Sequence, residues 1–204
     1  MTTKHIPAKL QIILGDKNPD LIEAWEQEFG QLENVTVRGG NVLLATADAI
    51  VSPANSFGFM DGGIDWSISE MFSWKIQAIV QKAIREKHAG ELLVGAAEIV
   101  STGHERFPYL VCAPTMRVPQ NVSESTNAFL SMRAVLLAIN NFNSAHETII
   151  RSVAIPGLAT GVGRMPYERS ARQMRAAYDQ VFGTMTNNYH SLNEAIVDEK
   201  RFKQ

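Results

Sequence analysis

Asn55-Ser-Phe-Gly-Phe-Met-Asp-Gly-Gly-Ile-Asp65 and Ile155-Pro-Gly-Leu-Ala-Thr-Gly-Val-Gly-Arg-Met-Pro166 decide how this chain is read. Each follows a short apolar run, Ala49-Ile-Val51 or Val153-Ala-Ile155, that reads as a buried strand, and each precedes apolar residues at helical spacing. A glycine-rich turn from strand to helix bares backbone N–H groups at the positive end of the helix dipole, which suits a phosphate. Two such turns, about a hundred residues apart, predict a diphosphate gripped from both sides. Asn55 and Asp65 add polar side chains at the rim of the first. Each feature also has a plainer use: the glycines as tight turns, Asn55 as a residue that bonds its own loop, Asp65 as a carboxylate at a helix start.

Outward from these turns, strands and helices alternate. Leu10-Gln-Ile-Ile-Leu14 reads as a first strand, closed by Gly15-Asp16. Asn18 is placed to cap a helix with Pro19 at its first position; Leu21, Ile22, Trp25 and Phe29 share one face, and Gly30 ends it. Val35-Thr-Val37 is a short strand. Beyond the first glycine turn, Ile68, Met71, Phe72, Ile76, Ile79, Val80, Ala83 and Ile84 repeat at helical spacing up to Gly90, with a break expected near Ser73. Ala97-Glu-Ile-Val100 and Tyr109-Leu-Val-Cys-Ala113 read as two strands joined by a polar loop around Gly103-His104. A helix opening at Ser125 is faced by Phe129, Met132, Val135, Leu136, Ile139 and Phe142. A last strand covers Ile149–Ile155, and a helix over Tyr167–Phe182 is capped by Gly183. From Thr184 the chain turns polar, with at most a short helix over Leu192–Val197. This order predicts an α/β fold, with helices on both faces of a central mixed, mostly parallel sheet and ligands beyond the carboxyl ends of the strands. With no internal repeat or linker in view, residues 1–204 read as one domain.

Composition narrows the function. The 204 residues are 45% hydrophobic, enough to bury one sizeable core, and the formal net charge is −2. No basic face for nucleic acid is announced, so an anionic ligand must be held by local geometry. Cys112 is the only cysteine, which removes an intramolecular disulfide and a cysteine-based zinc cage. Its apolar neighbours make it a small core residue. The five histidines have no helical metal spacing and read as surface residues, as Lys82, Arg85 and Lys87 read as a solvated helix face. Trp25, Trp66 and Trp74 are expected in or at the edge of the core. Met1–Lys9 lacks a signal-peptide core and no apolar run reaches about 18 residues, so a cytoplasmic protein without a membrane partner is expected. The glycines match neither the dinucleotide fingerprint nor a P-loop.

The stretch Gly40-Asn-Val-Leu-Leu-Ala-Thr-Ala-Asp-Ala-Ile-Val-Ser-Pro-Ala-Asn55 resembles the opening of the macrodomain family, which binds ADP-ribose and reads approximately G-D-I-T-x-x-x-V-D-A-I-V-N-A-A-N. Asn55 to Asp65 is the family's step from that asparagine to the aspartate of G-G-V-D. Pro156–Pro166 resembles its second signature, P-A-I-S-T-G-I-Y-G-Y-P. The resemblance spans roughly residues 35–183 and implies the three-layer α/β/α macrodomain fold. It gives Asn55 to the distal ribose and Gly62, Gly63 and Ile64 to diphosphate contacts through their backbone. It places Thr160, Gly161, Val162 and Gly163 on a second diphosphate loop. Asp65 falls on the aspartate that MacroD-type hydrolases use near the scissile bond. Three positions depart from the pattern. The adenine-binding aspartate is Asn41 here, with Asp16 the candidate to replace it. Ser52 stands for the first asparagine of N-A-A-N, and Gly163 for an aromatic that packs on the ribose.

The function expected from the resemblance is hydrolysis of ADP-ribosyl conjugates, such as an ADP-ribosylated acidic side chain or O-acetyl-ADP-ribose, with no metal or other cofactor required. Asp65 would orient or deprotonate a water, and Asn55 would fix a ribose hydroxyl. Two rivals remain at this level. One is a reader that binds ADP-ribose without turnover; the other is a binder of nucleotides or nucleic-acid ends, disfavoured by the acidic charge balance.

Overall fold

The structure, a computed structural model, describes residues 10–147, 149–183 and 189–203. The reading of Met1–Lys9, and that of residues 184–188 in the polar tail, lie outside the described residues. Six strands form one sheet: β1 (Gln11–Asp16), β2 (Val35–Gly39), β3 (Ala49–Ser52), β4 (Glu98–His104), β5 (Phe107–Cys112) and β6 (Ser152–Ile155). Their order is β2-β1-β6-β3-β5-β4, and every pair is parallel except the β4–β5 edge. Among the described residues the α-helices are α1 (Pro19–Phe29), α2 (Gly63–Met71), α3 (Lys75–Lys87), α4 (Asn127–Ala145), α5 (Tyr167–Phe182) and α6 (Leu192–Phe202). The chain thus has the mixed α/β sheet with helices on both sides that its sequence predicts.

Alternation along the strands divides the core. Ile12, Leu14, Ala49, Val51, Val111, Val153 and Ile155 face α1, α4 and α5; Ile50, Leu110, Cys112 and Ala154 face α2 and α3. Because both faces are covered, the central strands carry unbroken apolar runs, Ile12–Leu14, Ala49–Val51 and Val153–Ile155, beside polar ends. Asn18 caps α1 by accepting from the Asp20 and Leu21 amides, and fully buried Trp25 and Phe29 anchor that helix, with Phe29 edge-on to Tyr178 of α5. The break expected near Ser73 separates α2 from α3, and Ser73 takes a positive φ of 51°.

Four readings need correction. β6 starts at Ser152 rather than Ile149, because side chains take the backbone groups before it: Asn143 bonds both N–H and C=O of Ile150, and Asp48 accepts from Arg151 and Ser152. Helix α4 starts at Asn127, since Ser125 turns its hydroxyl back to Val122 O. Helix α6 is longer than expected. Ser191 Oγ caps its start by accepting from Glu194 N, the Glu194 carboxylate accepts from His190 N, and Phe202 at its end stacks on Phe129 at 4.5 Å. Trp66 and Trp74 are exposed by 46% and 44%, each covering the other edge-on at 4.7 Å, while Trp25 and Cys112 are buried as expected.

Candidate functional site

The carboxyl ends of the parallel strands open onto one cavity of about 400 Å³, within the range that holds a small organic ligand. The loop after β3 supplies one wall. Gly62 precedes α2 with extended backbone (φ −145°), and Gly63 takes a left-handed φ of +57°, which glycine adopts without strain. Trp66 N is the first amide of this turn to find a backbone acceptor, Gly62 O at 3.3 Å. Among the described residues, the amides of Gly63, Ile64 and Asp65 have no such partner, as the start of a helix requires. A Cβ on Gly62 or Gly63 would meet no atom within 4 Å, because these residues border the cavity.

The loop after β6 lines the same cavity. Three backbone bonds shape it: Met165 N to Ala159 O, Arg164 N to Gly161 O, and Val122 N to Gly163 O, all 2.9–3.0 Å. Ala159 and Arg164 hold positive φ values of 63° and 54°. Gly163 is forced by crowding, since a Cβ there would lie 2.4 Å from Ala159 O. Gly161 has open space around it. Thr160, Gly161, Val162 and Gly163 all line the cavity, and among the described residues their amides meet no protein acceptor. Two loops with unclaimed N–H groups therefore line one cavity, an arrangement suited to a diphosphate.

Asp16, at the end of β1, and Asn41 line the same cavity. The Asp16 carboxylate accepts from Asn18 N at 2.9 Å, and its other oxygen lies 3.2 Å from where a Cβ on Gly157 would sit. Asn41 uses its amide oxygen to cap the short 3-10 turn Val42–Leu44, which the sequence reading missed. Asn55 does what a loop asparagine does: Oδ1 accepts from Phe57 N and Phe59 N, and Nδ2 donates to Phe59 O. One Nδ2 proton is left over. A bridge between Asn55 and Met116 carries the β3–β5 pairing past the strand ends and ties the two loops together. All eleven candidate residues read from the sequence thus line one cavity. Lys17, Phe59, Thr115 and Pro119 line it as well without having been singled out, although the loops after β1, β3 and β5 were the places to look.

Asp65 is 7% exposed and accepts from Ser52 Oγ at 2.5 Å. Burial pushes its carboxyl up from 3.8 to about 7, against the Ser52 hydrogen bond, which lowers it. Behind it, burial and then the Asp65 charge drive the Cys112 thiol far above its usual range, so the thiol stays protonated and inert. Between pH 3.8 and about 7 the folded chain holds a proton on Asp65 that the unfolded chain has lost. The associated stability is complete below pH 3.8 and lost as pH rises through about 7. The difference of about three units corresponds to roughly 4 kcal/mol. Asp65→Asn is expected to match the parent in urea unfolding near the acid end of that window and to exceed it by up to about 4 kcal/mol at about pH 8. A parent that gains on Asp65→Asn as the pH rises would contradict this.

Fold and site define an α/β protein with a cavity at the carboxyl edge of its sheet, lined by backbone amides without a protein acceptor among the described residues. The macro domain family model matches residues 51–174, and the chain belongs to that family. An uncharacterised protein of Aquifex aeolicus is 34% identical over 69% of this chain and 78% of its own length. A Mycobacterium bovis protein named DNA ADP-ribosyl glycohydrolase is 25% identical over 72% of this chain and 39% of its own length. Among solved structures, the macrodomain of Mycobacterium tuberculosis DarG superposes with a TM-score of 0.60 at 24% identity, covering 72% of this chain and 90% of that one. An Oceanobacillus iheyensis macrodomain mutant solved with ADPR gives 0.57 at 19% identity, covering 69% and 74%. Among the described residues, no helix is long and apolar enough to cross a membrane.

Proposed function

We propose that the cavity binds ADP-ribose and that the protein hydrolyses ADP-ribosyl conjugates. One observation carries this reading: two loops with unclaimed backbone amides line one cavity together with the buried Asp65, whose carboxyl burial pushes up to about 7. The amides of Gly63, Ile64 and Asp65 on one side, and of Thr160 to Gly163 on the other, would grip the diphosphate and fix the distal ribose between them. Ionised Asp65 would take a proton from water as the water oxygen bonds to the anomeric carbon. In the same step the bond from that carbon to the conjugate breaks, and its electrons leave with the conjugate's carboxylate. Attack on the acyl carbon of an ester gives the same overall products. A carboxyl with its pKa near the working pH suits this step, because its ionised fraction is substantial and it remains a usable base. The spare Nδ2 proton of Asn55 is available to a ribose hydroxyl.

Substrates to test are an ADP-ribosylated acidic side chain, O-acetyl-ADP-ribose and, because of the name of the mycobacterial relative, ADP-ribosylated DNA. Incubation of each with the protein should release free ADP-ribose from at least one. Tight binding with no release from any would leave a reader, a reading supported by the engagement of Asn55 within its own loop.

At the adenine end, Asp16 would accept from the exocyclic amine, since Asn41 commits its oxygen to its own turn. Asp16→Ala should therefore weaken ADP-ribose binding by about 1–3 kcal/mol. Unchanged affinity by calorimetry would limit Asp16 to its bond with Asn18.

A further inference from the structure

The strand that ends beneath α2 contributes more than backbone. Alternation on β3 turns Ser52 to the same side as Ile50, toward α2, where it is fully buried with its hydroxyl against the Asp65 carboxyl. Asp65 is the third residue of α2, and it has no other side-chain hydrogen bond among the described residues. We propose that Ser52 is a positioning residue for Asp65: it holds Oδ1 from beneath, leaves Oδ2 to the cavity, and favours the ionised carboxyl that the proposed hydrolysis uses. This rests on the hydrolytic reading of the pocket.

The surroundings leave Ser52 alone in this role. Cys112 sits opposite Ser52 on β5 and shares a side-chain hydrogen bond with it; as a protonated thiol it donates to the Ser52 oxygen, which leaves the hydroxyl proton to Asp65. Glu98 lies further back on β4, bound by Lys87 and His88. Lys75, Lys82, Arg85 and Glu86 of the neighbouring α3 are exposed. Asp16, Lys17 and Asp61 line the cavity itself, and Asp48 at the start of β3 is taken up by Ser152. Where burial disfavours the charged form of Asp65, a single donated hydrogen bond is the main local influence favouring it.

The test is Ser52→Ala, with the Asp65 midpoint followed by carbon-13 NMR of the carboxyl and ADP-ribose release followed across pH. The midpoint should rise by about one to two pH units. The acid limb of the rate profile should move up with it, costing about tenfold or more on that limb, while the alkaline plateau stays near the parent's. Ser52→Thr, which keeps the hydroxyl, should restore the parent profile. If Ser52→Ala does not fold, Ser52→Cys keeps the size with a much poorer donor and supports the same comparison. An unmoved midpoint in the folded variant, or a rate lowered equally at every pH, would overturn the proposal. A parent that releases no ADP-ribose would defeat the hydrolytic reading separately, because the NMR midpoint needs no turnover.

Discussion

Asp65→Ala should slow release of ADP-ribose from an ADP-ribosyl ester by about 10²–10⁴-fold, the contribution typical of a general acid-base group. Binding should survive. The proposed diphosphate grip lies in backbone amides, and the turn that presents them is set by Gly62 and Gly63. Affinity for ADP-ribose should change by less than about tenfold, or roughly 1.4 kcal/mol. The substitution removes a buried carboxyl that is costly to ionise, so the folded state should not suffer at neutral pH. Single-turnover release and calorimetry on the same preparations make the comparison. Equal turnover in parent and variant would remove Asp65 from the chemistry and favour a substrate group as the base.

Gly161→Glu should reduce ADP-ribose affinity by more than about 100-fold, or roughly 2.7 kcal/mol, with little change in melting temperature. Its Cβ would enter open space, and its φ lies outside the left-handed region, so the fold has no reason to object. The carboxylate would project from the loop proposed to hold the diphosphate. Two like charges about 4 Å apart near a protein surface repel by about 4 kcal/mol, before the lost volume is counted. Gly163 provides the contrast, because any side chain there strikes Ala159 O and the loop itself must move. Normal binding by a folded Gly161→Glu protein would reduce the second loop to a turn.

Much of this architecture was legible because the residues that build it carry their own signals. Ala49–Val51 and Val153–Ile155 are too short and too apolar to be anything but buried strands between glycine-rich turns, and the capped periodicity of α1 fixes that helix within a residue. The boundaries that were misread depend on distant partners. Asn143 and Asp48 shorten β6 from other segments, and α6 needs Phe129 to anchor Phe202. Ser191 caps the start of α6, but a polar tail alone does not show what such a helix would pack against. Trp66 and Trp74 illustrate the opposite limit: large apolar residues read as core or its edge, whereas these two cover each other at the surface.

The site was legible in a similar measure. Both glycine turns and Asp65 could be picked out by residue type and position, and they do converge on one cavity. The hydrogen bond from Ser52 to Asp65 could not, because it depends on which face of β3 lies beneath α2. Nor could the commitment of Asn55 and Asn41 to their own loops be told from a ligand-facing use, since an asparagine amide serves either.

The central claim is that the two rows of amides hold ADP-ribose, and isothermal titration calorimetry with ADP-ribose tests it most directly. Saturable binding at one ligand per chain is expected, with a matching rise in melting temperature. A hundredfold excess over the dissociation constant corresponds to about 2.7 kcal/mol of added stability. No binding heat and no shift in melting temperature at millimolar ADP-ribose would contradict it.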